Sequence, residues 1–369
     1  MLQLDDPRAE RDALRGRTVL LAMSGGVDSS AAAVLLQRRG ARVLGITMKN
    51  FCYSDVESGA NTSCCSLEHM LDARRVCEAL GIEHFTLDVR RDFRRLVMER
   101  FVAEYEAGRT PNPCVDCNES VRFPILLAQA RALGAELVAT GHYARVGRAA
   151  DRWFLRRGAD AAKDQSYFLH AVPEACLSQC VFPLGELEKE QVRRVARDAA
   201  LPVAEKAESQ EICFLPTGER REFLETHGSP RPGAVVDLEG RQLGTHAGIG
   251  NFTIGQRRGL QIAVGEPLYV QQIDAQRNTV VLGDAESLRS RGVELRPFWR
   301  RHDDESTGLR LQLRHRSAAV GVKRIECEDA ITLRIEFESP HAAVAPGQAA
   351  VLYDADVVVG GGRIVAALR

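Results

Sequence analysis

The chain has 369 residues, of which 45% are hydrophobic and 27% charged, with a net charge of −1. This composition suits a folded chain of two or three domains and excludes a polycation, so any nucleic-acid surface has to be a local patch. No stretch of eighteen apolar residues occurs, and Met1 to Arg17 is too charged for a signal peptide, so a cytoplasmic protein without a membrane partner is expected. Ten cysteines in such a chain read as thiols, catalytic groups or metal ligands rather than a disulfide framework.

Val19 to Leu21 reads as a short buried strand and Ala31 to Leu36 as a helix stopped by Gly40. Between them lies the loop Ala22, Met23, Ser24, Gly25, Gly26, Val27, Asp28, Ser29, Ser30. Strand, glycine turn and helix make a phosphate cradle, because glycine lets the backbone approach an anion and the first helical turn offers unpaired N–H groups. The loop lacks the lysine of a Walker A motif. Val43 to Met48 is a second strand, Leu67 to Leu80 a helix closed by Gly81, and His84 to Val89 a third strand. Phe93, Leu96, Val97, Phe101 and Tyr105 share one helical face. Pro111 and Pro113 stiffen the loop that follows. Ile125 to Leu133 is helical, and Leu137 to Thr140 is a strand ending in Gly141 and His142. This alternation predicts an α/β fold with a doubly wound parallel sheet, whose ligands bind at the carboxyl ends of the strands. The loop, Met48, Gly141 and His142 then share one rim.

After about Pro216 the runs shorten and glycine becomes frequent. A last helix is expected near Glu219 to Leu224. Leu309, Leu311 and Leu313 alternate with polar residues, as do Leu333, Ile335 and Phe337, which predicts half-buried antiparallel strands. The expected organisation is a catalytic domain over 1–216, a small β-rich domain over 217–289 and a β-barrel over 290–369. Between Arg289 and Arg324, ten Arg or Lys face four acids, with Phe298 and Trp299 among them. Basic strands carrying aromatics suit RNA phosphates and unstacked bases. Cys114 and Cys117 form a C-x-x-C, a pattern of redox or metal chemistry. Adjacent Cys64 and Cys65 read as packing or surface thiols, and Cys52, Cys77, Cys176, Cys180 and Cys327 as small core or surface residues.

The S-G-G-x-D-S pattern resembles the pyrophosphate loop of enzymes that cleave ATP between its α and β phosphates. Taken with Met48-Lys49-Asn50, the run Gly108 to Pro113, Ala139 to Tyr143, Lys163 to Phe168, Ile212 to Phe214, Gly255 to Gly259 and Pro346 to Gln348, it closely resembles the bacterial tRNA-specific 2-thiouridylases over nearly the whole chain. The resemblance implies ATP-dependent adenylation of the C2 oxygen of a wobble uridine in tRNA, followed by sulfur transfer. It implies that Ala22 to Ser29, Met48 and Gly141 hold ATP, with Mg²⁺ sharing the charge and Asp28 positioned to ligate it. Cys117 becomes the nucleophile and Cys213 the persulfide carrier, closing a disulfide at the end of the cycle. Asn112, Pro113 and Cys114 would surround the target base. His142, Lys163, Asp164, Gln165, Arg314, His315 and Gln348 match positions that touch tRNA. The sulfur would come from a sulfur-relay protein or a cysteine desulfurase.

Two departures stand out: Cys114 replaces a common Asp, and His315 a common Tyr. With three thiols on one rim, a [4Fe–4S] cluster held by Cys114, Cys117 and Cys213 is an alternative to persulfide carriage. The competing functions are a GMP-synthetase-like amidating ligase and a non-catalytic RNA-binding protein; no glutaminase region and no degenerate loop speaks for either.

Overall fold

The computed structural model describes residues 14–51, 65–149, 152–207, 212–215, 220–260, 262, 265–300, 308–342 and 344–369. Cys52, Cys64, the acids Asp303 to Glu305 and the expected boundary at Pro216 lie outside the described residues, as does the side chain of Cys65. The chain forms two compact units: Met1–Val97, Cys114–Phe214 and Asp356–Val358 in the first, Met98–Pro113, Leu215–Ala355 and Val359–Arg369 in the second.

In the first unit, β1 (Thr18–Ala22), β2 (Arg42–Lys49), β3 (Glu83–Asp88) and β4 (Leu137–Ala139) are followed by a hairpin, β5 (Ala144–Ala149) and β6 (Arg152–Arg157), and by the short β7 (Cys180–Val181). The sheet runs β3-β2-β1-β4-β7 with every pairing parallel. This is the expected α/β class. Val19, Leu20 and Leu21 are fully buried, as a strand covered on both faces requires. Its helices include α1 (Val27–Arg38), α2 (Cys65–Leu80), α3 (Pro113–Cys117), α4 (Phe123–Ala132) and α5 (Lys189–Asp198). Ala31, Ala32 and Ala33 are fully buried; small side chains let α1 lie in the core that it shares with Val192 and Ala196 of α5. Helix α5 opens with a capping box between Glu188 and Gln191.

The second unit begins with the helix Glu99–Glu106, whose Phe101 packs edge-on against Phe223 of the helix Arg220–His227. A four-stranded sheet follows, β8 (Gly233–Val236), β9 (Gln242–His246), β10 (Tyr269–Asp274) and β11 (Thr279–Gly283), in the order β10-β11-β8-β9. Its β8–β11 pairing is parallel. Val235, Phe252, Val270, Val280 and Leu282 fill its core. The strands β12 (Arg289–Arg300), β13 (Arg310–Gln312), β14 (Val320–Cys327), β15 (Leu333–Ala342), β16 (Ala349–Asp354) and β17 (Val357–Leu368) are ordered β12-β15-β14-β13-β16-β17, and a β12–β17 pairing closes them into a barrel. Closure removes both edges. β15 shows the alternation read from Leu333, Ile335 and Phe337, all buried, with Arg334 exposed between.

The units are not contiguous in sequence, whereas the expected domains are. Residues 98–113 join the second unit because Phe101 and Tyr105 bury themselves there; Arg220 lies over the Tyr105 ring at 4.9 Å.

Candidate functional site

Gly25 has φ +73°, and a Cβ placed there would meet the backbone carbonyl of His69 on α2. Only glycine satisfies both the left-handed backbone and this approach. The Gly26 carbonyl accepts from Ser29 Oγ at 3.1 Å and Ser30 Oγ at 2.8 Å. Ser29 Oγ also accepts from the Ser24 amide at 3.2 Å and lies 3.1 Å from Ser24 Oγ. The loop is therefore built by its own residues before any ligand arrives. Met23 is buried, and its carbonyl accepts from Thr47 Oγ1 at 2.8 Å. Ala22 ends β1, Met48 lies one residue from the end of β2, and Gly141 follows β4. A Cβ on Gly141 would come within 2.9 Å of the Ser29 amide nitrogen, so the strand end packs directly on the first turn of α1. All these residues lie on the carboxyl rim of the sheet, where such folds bind ligands.

Asp28 is already engaged. Lys189 Nζ donates to both of its oxygens, at 2.7 and 2.9 Å, and Tyr143 Oη donates to one at 2.8 Å. Lys189 opens α5, with its amide held by Asp160 at 3.0 Å. The lysine that the loop lacks in sequence is thus placed beside it by a distant helix. The sequence reading missed Lys189, because Glu186 to Glu190 looks like a solvated charged run.

Cys114 and Cys117 lie on α3, and Cys213 on a turn of the same unit; all three are free thiols. Burial pushes the Cys114 thiol up to about 11, with Cys117 adding to the rise. Cys117 is buried and raised for the same reason, with Asp116 contributing. Cys213 retains exposed surface, yet protein crowds its sulfur; desolvation, then Cys117 and Cys114, push it up. Cys114 thus responds to Cys117, and Cys213 to both; no His, Cys, Asp or Glu triad able to hold a metal ion occurs among the described residues.

His142 donates from Nδ1 to Thr140 Oγ1 at 2.7 Å and accepts at Nε2 from Arg122 Nη1 at 3.2 Å, since a guanidinium has no acceptor. Burial, then the Arg122 charge, push it down to about 3, so it is neutral. It stacks on Phe123 and meets Phe182 edge-on.

The other expected tRNA-touching residues sit in varied settings. Asp164 is buried and accepts from Arg157, Ser166 and the Gly158 amide. Gln165 Oε1 accepts from the Tyr143 amide at 3.0 Å, and Lys163 is half-buried beside them. In the second unit, Gln348 Nε2 donates to the carbonyls of Thr110 and Pro111, at 2.9 and 3.2 Å, and the Thr110 amide donates to Pro346 at 2.7 Å. The Pro346–Gln348 turn thereby holds the segment that leads into Asn112 and Pro113. Arg314 donates to the Ile254 carbonyl at 3.3 Å, and His315 is half-buried next to it. Gln256 accepts from the Thr253 amide, which makes the Gly255–Gly259 turn a structural one.

The sequence of this chain matches a family model described as the tRNA methyl transferase HUP domain over residues 17–217, its PRC-barrel domain over 221–284 and an aminomethyltransferase β-barrel domain over 294–364. It is 44% identical to a tRNA-specific 2-thiouridylase of Syntrophus aciditrophicus, over 96% of this chain and 94% of that one. It is 46% identical to that of Chloroflexus aggregans, over 94% and 98%. The chain belongs to the tRNA-specific 2-thiouridylase family. A solved 4-thiouridine synthetase in complex with RNA and ATP is 18% identical, over 57% of this chain and 50% of that one, with a TM-score of 0.37, too distant to argue from. The 2-thiouridylase relatives span the chain nearly end to end, so both the phosphate loop and the three thiols fall inside the shared region. Among the described residues no helix is long and apolar enough to cross a membrane.

Proposed function

We propose that this chain is a tRNA 2-thiouridylase that works in two stages, an ATP-dependent activation on the sheet rim and a sulfur transfer at the thiols. In the first stage the C2 oxygen of the wobble uridine attacks the α-phosphorus of ATP, an O–P bond forms and pyrophosphate leaves. Ala22 to Ser29, Met48 and Gly141 hold the nucleotide, the backbone amides at the start of α1 facing its phosphates. Lys189 and Tyr143 fix Asp28 at that point. Magnesium needs one carboxylate at most besides phosphate and water; Asp28 would hold it, and it would neutralise the departing pyrophosphate.

In the second stage the terminal sulfur of a Cys213 persulfide attacks C2 and AMP leaves, giving a base–S–S–Cys213 link. The Cys117 thiolate then attacks the Cys213 sulfur, which releases 2-thiouridine and forms a Cys117–Cys213 disulfide. Two thiols are oxidised as the transferred sulfur is reduced, so a thiol reductant restores the enzyme each turnover. Asn112, Pro113 and Cys114 flank the base, while Lys163, Gln165, Arg314, His315 and Gln348 face tRNA or support what does. A sulfur-relay protein or cysteine desulfurase loads Cys213.

The observation that carries this reading is that Cys213, far in sequence from Cys114 and Cys117, falls with them in the unit that also holds the phosphate loop. The test is incubation with ATP, a persulfide donor, a thiol reductant and unmodified tRNA. AMP, pyrophosphate and 2-thiouridine are expected in equal amounts; RNA binding without ATP turnover, or GMP made from XMP, overturns the proposal.

A further inference from the structure

The segment that leads into Asn112 offers few backbone handles. Pro111 and Pro113 carry no amide hydrogen, so carbonyl oxygens are the main groups by which a neighbour can grip it. The Pro346–Gln348 turn of the same unit supplies the matching donors. Gln348 Nε2 donates to the carbonyls of Thr110 and Pro111, at 2.9 and 3.2 Å, which commits both hydrogens of its side-chain amide. The Pro346 carbonyl in turn accepts from the Thr110 amide at 2.7 Å. Gly347 makes this approach possible: its φ is +92°, and a Cβ there would come within 2.7 Å of the Thr110 nitrogen and 3.0 Å of Arg109 Cβ. The turn is itself fixed to β17, because the Gly347 amide donates to the Ile364 carbonyl and the Ile364 amide to the Gln348 carbonyl, both at 2.8 Å, and Ile364 is fully buried. Other elements hold the same segment. Thr110 Oγ1 donates to Thr253 Oγ1 at 3.4 Å, and Arg220 ties Thr253 to Tyr105 and Asn251. Arg109 closes on Glu104 with two bonds, at 2.7 and 2.8 Å.

We propose that Gln348 is a positioning residue, not a tRNA contact: with Gly347 it clamps Thr110 and Pro111 and thereby sets where Asn112 and Pro113 stand against the target base. Asn112 lies between two prolines, whose fixed φ values and restricted neighbours pass the placement of Pro111 on to it with little slack. A shift of about 1 Å in a group that orients a reactant costs up to about a hundredfold in rate. The inference rests on the thiolation reading for what Asn112 and Pro113 do, but its first test needs neither ATP nor tRNA.

That test is hydrogen exchange of the Thr110 amide in the intact protein, read by mass spectrometry on overlapping peptides. Gln348→Glu keeps the side chain's size but replaces its donors with oxygens that repel the two carbonyls. It should speed Thr110 exchange about tenfold or more, while the amides of β16 and β17 stay within about twofold of the parent; a merely space-filling role would move neither, and general loosening would move all. In single turnover at saturating tRNA, with ATP and persulfide-loaded enzyme, pyrophosphate release and 2-thiouridine formation should fall together, about ten- to a hundredfold, because both stages need the base in place. The affinity for tRNA should stay within about twofold, with an unchanged salt slope, although a new carboxylate at an RNA contact would weaken it. Parent-like Thr110 exchange in the folded variant overturns the proposal, as does faster exchange with an unchanged rate, or weakened tRNA binding with a normal rate at saturation. If Gln348→Glu does not fold, Gln348→Ala decides on the same readouts. A parent enzyme with a protected Thr110 amide that makes no 2-thiouridine defeats the thiolation reading and leaves the clamp standing.

Discussion

The phosphate loop and the thiol region are built in opposite ways. In the loop, contacts among consecutive residues close the turn: Gly26 accepts from Ser29 and Ser30, and Ser24 pairs with Ser29. The thiol region draws Cys114, Cys117, His142 and Cys213 from separate stretches, and burial holds its thiols protonated. The loop is closed by its own residues, whereas the thiols are set by burial. A site of the first kind fails when its backbone is disturbed; one of the second kind fails when its electrostatics are.

The largest expected effect tests the thiol side alone. Cys213→Ser should abolish 2-thiouridine formation while AMP is still released in the presence of tRNA; loss of both would mean that the two regions are not separable stages. Next comes the loop. Gly25→Ala imposes a left-handed φ on alanine, costing roughly 1–3 kcal/mol before the clash with the His69 carbonyl is counted. ATP binding, read by calorimetry, should be lost together with several degrees of melting temperature; a variant with wild-type affinity would show that the loop is not the nucleotide site.

Lys189→Met and Asp28→Ala sharpen the comparison by disturbing charge at the loop instead of backbone. AMP formation should fall about ten- to a hundredfold in each, with tRNA affinity in filter binding little changed. Normal AMP release by Asp28→Ala defeats its assignment. The pH profile follows for the thiols. With Cys114 raised to about 11 and Cys117 and Cys213 also raised, thiolate is the minor form at neutral pH. Single-turnover sulfur transfer should therefore climb close to tenfold per pH unit from 6 to 8, because deprotonation of a raised thiol becomes complete only above its folded pKa. His142, pushed down to about 3, adds no inflection in that range. A plateau below pH 7 would show that the reacting sulfur is already charged. The smallest effect belongs to Arg314→Ala, which should weaken tRNA binding a few-fold and reduce the slope of log affinity against log salt by about one; an unchanged slope moves the phosphate contact elsewhere.

The sequence alone determines the strand–loop–helix of residues 18–38, the parallel class of the sheet and the alternating strands of the barrel, because each is a local property: periodicity, a glycine turn, a capped helix. It also singles out Cys114 and Cys117 as a C-x-x-C and leaves Cys77 as a core thiol, pushed up to about 12 by burial. Tertiary structure alone decides the partners. Lys189 reaches Asp28, Arg122 reaches the neutral His142, and Gln348 holds the carbonyls that precede Asn112, each across a long stretch of chain. Asp164, expected to touch tRNA, is buried and accepts from Arg157 and Ser166. No local pattern encodes these facts, since the position of a charge relative to a distant side chain is set by how the sheet and barrel close, and the energy of a charge depends on what surrounds it.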